Sequence, residues 1–318
     1  ENNFFNLIFF FFKILKLSMK AKENYFDIYF IILLSLIKNE SFFYQVYPKI
    51  ILQDRFYINC SIKNFVFKKN GGKKTICCQY HIAESGICFY ADFDILFSFG
   101  EEQNSIKKLK TFGSNVEKSI PVGSLQMESE YYNFKEYKQN LEDTDLLIIG
   151  INPSHAMQIS KKVFDSYYIF LNWIVKFESL NPHIRITYKH HTNYKGDKIE
   201  NEIFKNSKIK ILKAGNTYQY LKKCKFVISN CSSMILEALS IEKNCFYVDP
   251  NNSLSTYFSY HEFDKNLVLD NYNDFNQKML SSMKNGSQNK VNQDRICLNS
   301  KNVSENIYKN IKDLLEKF

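Results

Sequence analysis

The feature that most narrows the fold of this chain is a recurrence of short, almost wholly apolar runs separated by stretches of helical pattern. The second part carries DLLIIGIN, IRITYKHH, IKIL, FVISN, NCFYVD and LVLD in that order. The first part carries KIILQD, KTICCQYH, DILFSFG and SIPVGS. A strand that is apolar on both faces must be covered on both faces, which is the condition of a parallel sheet between two helix layers. Helical character fills the gaps: YFDIYFIILLSLIK, EEQNSIKKLK, the segment from Ser160 to Glu178, and Tyr218 to Lys223. The expected fold class is therefore α/β, with two Rossmann-like doubly wound domains. The polar stretch YYNFKEYKQNLEDTD divides them, giving residues 1–135 as the first domain and 140–318 as the second. The tail ENIYKNIKDLLEKF predicts an amphipathic helix with Ile307, Ile311, Leu314 and Leu315 on one stripe, able to seal either domain.

Composition excludes several classes. The chain has 318 residues, 45% hydrophobic and 24% charged, the balance of a globular protein. Its net charge of +9 is almost all lysine, because only Arg55, Arg185 and Arg295 are arginines. No run of five like charges and no basic–aromatic repeat occurs, which argues against nucleic acid as a partner. None of the eight cysteines forms a C-x-x-C pair, so free thiols in a reducing cytosol fit better than zinc or disulfides. NLIFFFFKIL and YFDIYFIILLSLI are each broken by charge short of the ~18–20 apolar residues of a membrane span. The reading is a cytoplasmic protein whose weakly basic surface allows peripheral contact with the inner face of the plasma membrane. The chain opens on Glu1, with Met19 as an alternative start, and is read as lacking its beginning.

The most informative stretch is FVISNCSSMILEALSIEKNCFYVDP, from residue 226 to 250. In open α/β sheets ligands sit beyond the carboxyl ends of the strands, where a following helix aims backbone N–H groups at the crevice. Asn230-Cys231-Ser232-Ser233 is such a corner, with small side chains and two hydroxyl donors suited to a phosphate. With Ser232 as N-cap, Ile235, Ala238 and Leu239 form the core face of the helix. Ser233, Glu237 and Ser240 then share the opposite face. Glu237 lies too far in to complete a capping box and leans back toward the helix start, within reach of ribose hydroxyls.

This stretch resembles the nucleotide-binding corner of bacterial GT-B glycosyltransferases of surface-polysaccharide synthesis, where strand, Ser-Ser turn, Glu-Ala-Leu helix and a further strand follow in that order. Capsule and teichoic-acid-type transferases and the non-hydrolysing UDP-N-acetylglucosamine 2-epimerase share the architecture. ITYKHHTNY is similar to a strand ending in Lys-x-His-Pro, with Lys189 and His191 in place and Thr192 where proline is usual. GGKKTICCQYHI is similar to a strand ending in Gln-His-Gly, with Gln79 in place and Tyr80-His81 altered. DILFSFG and SIPVGS resemble the closing strands of the first domain. The family's first domain is normally longer, so the resemblance implies that this one is incomplete.

The resemblance implies a donor site built from Lys189, His191, Asn230, Ser232, Ser233 and Glu237. Lys189 and His191 would neutralise charge on a leaving diphosphate. His190 alternates to the other strand face and is left out. His81 is the candidate base for an acceptor hydroxyl, its imidazole titrating near neutrality. Asp92 and Asp94 are read as strand-edge and turn residues rather than a base. Gly150, Asn152 and Ser154 form the first turn of the second domain without G-x-G-x-x-G spacing. No D-x-D pair sits in a loop, so the expectation is a metal-independent enzyme with no cofactor beyond a nucleotide-sugar donor. The implied activity is glycosyl transfer to a saccharide or lipid-linked acceptor. A nucleotide-sugar epimerase, a glycerol-phosphate transferase and a non-catalytic nucleotide-binding module remain alternatives.

Overall fold

A computed structural model describes residues 2–21, 25–53, 61–79, 92–101, 115–132, 143–194, 196–213, 215–253, 267–285, 297–298 and 300–318. Two parallel sheets organise them. The first contains β1 (Ile50–Gln53), β2 (Lys74–Cys78), β3 (Asp92–Ser98) and β4 (Asn115–Pro121), in sequential order. The second contains β5 (Thr144–Ile149), β6 (Ile186–Lys189), β7 (Lys210–Leu212), β8 (Cys224–Ser229), β9 (Asn244–Val248) and β10 (Val268–Leu269), in the order β10-β9-β8-β5-β6-β7. Every pairing is parallel, as the two-sided apolar runs require.

Helices α1 (Asn2–Ala21), α2 (Phe26–Gln45) and α3 (Ser61–Lys69) precede β1 and β2. The segment α4 (Leu125–Met127), continued by the π-turn Glu128–Tyr132, follows β4. The second sheet is flanked by α5 (Pro153–Ile159), α6 (Lys161–Leu180), α7 (Lys198–Phe204), α8 (Thr217–Lys223), α9 (Met234–Ser240) and α10 (Tyr272–Asn285). α6 starts on Ser160, whose hydroxyl accepts from Val163 N–H, and buries Val163, Tyr167, Phe170, Leu171, Ile174 and Phe177 at helical spacing. The sequence offers no acidic first turn for α1, and only Lys20 in its last turn marks an end. The expected helix EEQNSIKKLK falls, from residue 102 onward, outside the described residues.

The last helix, α11 (Val303–Leu315), crosses back to the first sheet. Val303 and Ile307 join the core of Ile76, Cys78, Ile95, Phe97 and Val122, with Ile311 and Leu314 packed on its edge. Leu315, expected on the same stripe, is exposed instead. Glu128 receives Ser304 N–H at 2.8 Å and Ser304 Oγ at 2.9 Å, fixing the helix start against the π-turn.

Asp94 serves structure. Its carboxylate accepts from Thr75 N–H at 2.7 Å and from Lys68 Nζ at 2.5 Å. Burial pushes the carboxyl up, but Lys68 and Thr75 outweigh it and hold the group below its ordinary range.

Candidate functional site

The second sheet reverses its winding between β5 and β8. From β5 the chain steps through β6 and β7 on one side, then crosses to β8, β9 and β10 on the other. The carboxyl ends of β5 and β8 thus flank a topological switch point, where open α/β sheets leave a crevice for ligands. Two turns meet there: Gly150-Ile151-Asn152 after β5, and Asn230-Cys231-Ser232-Ser233 after β8. Ser229 Oγ joins them, donating to Ile149 O at 2.7 Å and accepting from Ser232 N–H at 3.2 Å. Gly150 is required by close approach, since a Cβ would lie 2.5 Å from Tyr188 Oη and 3.1 Å from Lys189 O.

The helix start differs in detail from the expectation. The N-cap is Ser233, and Ser232 Oγ accepts from Met234 N–H at 3.3 Å. The helix begins one residue later because the turn itself consumes Ser232, whose carbonyl is taken by Ile235 N–H and Tyr247 Oη. The Ser233 side chain makes no capping bond and is half-buried. Ser233 therefore keeps a hydroxyl to offer at the crevice. Asn230 is fully buried, its Nδ2 donating to Val248 O at 2.8 Å, so it braces β8 against β9.

Glu237 departs furthest from its expected place. Ile235, Ala238 and Leu239 face the core, but the opposite face is covered as well, and Glu237 is only 3% exposed. Its Oε1 accepts from Ser124 Oγ of the first domain, and its Oε2 accepts from Tyr218 Oη of α8 at 2.9 Å. Burial pushes the carboxyl up to about 7, against the pull of those two hydrogen bonds. Gly123, with φ +94°, turns the chain sharply after β4 and presents Ser124, whose hydroxyl also caps α4 at Met127 N–H. A second contact between the two halves pairs Asn216 Nδ2 with Glu130.

Lys189 and His191 end β6, two strands from β8 and so about 10 Å across the sheet from the Ser232-Ser233 turn. Lys189 is 1% exposed, with Nζ donating to His190 O at 2.8 Å, and burial lowers its basicity. His191 is half-buried and its Nδ1 accepts from Asn193 N–H at 3.3 Å. His190 points into a closed polar cluster. Its Nδ1 lies 3.3 Å from Glu200 Oε2, beside Tyr188 and Tyr194. Burial, with Lys189 and Lys213 nearby, drives His190 down to about 4, while burial raises Glu200. His190 is thus held neutral near neutral pH, and the Glu200 carboxyl is made harder to ionise.

His81, the expected base, lies outside the described residues. The first sheet does supply a cleft of about 280 Å³, lined by Cys78, Gln79, Phe99, Ser124, Gln126 and Glu130. Sequence reasoning missed Ser124, Glu130 and Tyr218. Of these only Ser124 carried a signal, the Gly123-Ser124 turn closing an apolar strand.

No family model matches the chain, and no curated protein matches it. Among solved structures it is similar to S. aureus MnaA in co-structure with UDP, at 13% identity and a TM-score of 0.59, over 90% of this chain and 80% of that one. It is similar to the UDP-GlcNAc 2-epimerase of Methanocaldococcus jannaschii at 15% identity and a TM-score of 0.55, over 87% of this chain and 80% of that one. It is also similar to the UDP-GlcNAc 2-epimerase of Neisseria meningitidis bound to UDP-GlcNAc, at 9% identity and a TM-score of 0.52, over 89% and 81%. With the two parallel sheets and the switch point, these likenesses show the fold: two Rossmann-like domains in the GT-B-like arrangement.

Proposed function

We propose that the chain processes a nucleotide-activated sugar, and that epimerisation of a UDP-N-acetylhexosamine is the reading best supported. The observation that carries it is the coincidence of the β5–β8 switch point with the Ser232-Ser233 turn. Three solved structures of similar fold are 2-epimerases or hold UDP. In this reading residues 140–318 hold the nucleotide and residues 1–135 face the sugar. Ser232 and Ser233 donate to the diphosphate, and Lys189 and His191 add positive charge from the end of β6. Asn230 keeps the turn in place.

Glu237 would take the ribose. In the closed arrangement two hydroxyls, Ser124 Oγ and Tyr218 Oη, already donate to its two oxygens. A ribose diol offers the same pair of donors, so nucleotide entry exchanges one set for the other as the domains part. The sugar then lies in the first-domain cleft, where Glu130 supplies a carboxyl group for proton transfer.

Glycosyl transfer is the second reading. The cleft favours it, because Gln79, Gln126 and Glu130 would also suit the hydroxyls of a saccharide or lipid-linked acceptor. The two separate on one experiment. The chain is incubated with UDP-N-acetylglucosamine and no acceptor, and products are followed by proton NMR. Epimerisation gives the C2 epimer with UDP still attached, unaffected by EDTA. Release of UDP only when a saccharide acceptor is added assigns transfer instead. A nucleotide sugar unchanged under both conditions, but bound, would leave a binding module.

A further inference from the structure

The two N-terminal helices carry an apolar surface that no part of the described chain covers. On α2, Phe30, Ile31, Leu34 and Ile37 recur at helical spacing and are 53–66% exposed. On α1, Phe9, Phe12 and Met19 are 60–67% exposed. The opposite faces are used in packing: Phe11 of α1 meets Phe26 and Tyr29 of α2, and Phe43 of α2 meets Phe67 of α3. Large apolar side chains left exposed repeatedly along both helices mark an interaction site.

Charge identifies the occupant. α1 contains no acidic residue along its 20 positions, whereas Lys13, Lys16 and Lys20 are exposed on it beside the phenylalanines. Lys13 Nζ sits 4.8 Å from the centroid of the Phe9 ring, so positive charge and aromatic surface are joined on the exposed face. Aromatic and aliphatic side chains interleaved with lysines suit the boundary between lipid headgroups and acyl chains. A second copy of the same face would set these lysines against their like. Among the described residues no helix is long and apolar enough to cross a membrane, so the pair would lie on the bilayer rather than through it.

Position agrees with this. α2 and α3 each end a few residues before the strand they lead into, with 20 residues against nine. α2 therefore outruns α3 by about 15 Å toward the carboxyl edge of the sheet, the side on which the cleft opens. We propose that α1 and α2 form a docking surface for a bilayer containing anionic phospholipid, holding the first-domain cleft near the membrane. The claim is independent of which reaction the cleft performs.

The test is flotation of the full chain with phosphatidylcholine vesicles, with and without phosphatidylglycerol. Three variants accompany it: Phe9→Ser/Phe12→Ser, Phe30→Ser/Leu34→Ser, and Lys13→Glu/Lys16→Glu. All are at exposed positions, and matched circular dichroism melts establish that each is folded. The expected result is partition into the anionic vesicles only, weakened by salt, and reduced about tenfold or more by each pair of changes. Absence of partition, or partition that none of the three variants weakens relative to the unaltered chain, overturns the proposal. So does a concentration-dependent dimer that the Phe→Ser changes abolish, which would assign the face to a second copy.

Discussion

Replacing Glu237 by glutamine is expected to flatten the fall in stability that the wild-type chain shows as pH rises. The carboxyl is fully enclosed between α9, α8 and the first domain, and its folded-state value stands at about 7 against an ordinary 4.5. Between those two values the folded chain holds a proton that the unfolded chain has released. Stability is then fully present below the lower value and is lost as pH climbs through the higher one. The shift corresponds to something on the order of 3 kcal/mol between about pH 5 and pH 8. Glutamine keeps the shape and, because the hydroxyls of Ser124 and Tyr218 can each donate or accept, keeps both partners. Two other buried groups contribute to the pH dependence: Glu200, raised by burial, acts in the same direction, whereas His190, lowered by burial, acts in the opposite one. The difference between variant and wild type isolates Glu237. Chemical denaturation at several pH values supplies it, and two parallel stability curves would mean that the closed site carries the charge without difficulty.

The second large effect belongs to Glu200→Ala. Oε1 of Glu200 accepts from Tyr167 Oη and, at 2.8 Å, from Tyr188 Oη, and both rings are wholly buried. Removing the carboxyl leaves Tyr167 and Tyr188 only each other, so one buried hydroxyl loses its acceptor, and it opens a space against His190. The expected loss is about 2–4 kcal/mol, one unsatisfied buried donor plus the cavity. Glu200→Gln keeps an acceptor for the pair and should lose about 1 kcal/mol. Glu200 also sits in the first turn of α7, capped by Asp197, which accepts from Glu200 N–H at 2.8 Å. The turn that carries His191 is tied to the sheet through this cluster. Hydrogen exchange of residues 190–194 should therefore quicken in Glu200→Ala. A loss below about 1 kcal/mol would mean that Tyr167 and Tyr188 satisfy each other without the acid.

What the sequence discloses divides along local and distant contacts. Strand β8 and the Ser232-Ser233 turn are legible because an apolar run ending in small polar residues is decided within ten positions. The core face of α9 is legible for the same reason. The fate of Glu237 is not, because periodicity says which side of a helix is polar and nothing about what covers it. Ser124, which covers it, stands 113 residues earlier. α11 teaches the same lesson: its stripe can be read, but its return to the first sheet depends on Val303 and Ile307 finding Ile76 and Phe97 across the molecule. The burial of Lys189 and His190 also escapes strand alternation, since β6 is covered on both faces and all four of its residues are buried.

The central claim is that a nucleotide binds at the switch point between β5 and β8. Isothermal titration of the whole chain with UDP, CDP and GDP and their sugars tests it most directly, with Ser233→Ala and Glu237→Ala alongside. A thermal melt at about a hundred times the dissociation constant should show the same ligand adding ~2.7 kcal/mol of stability. The account expects one nucleotide to bind, with affinity reduced in both variants. No binding by any nucleotide, or binding that neither variant changes, would contradict it.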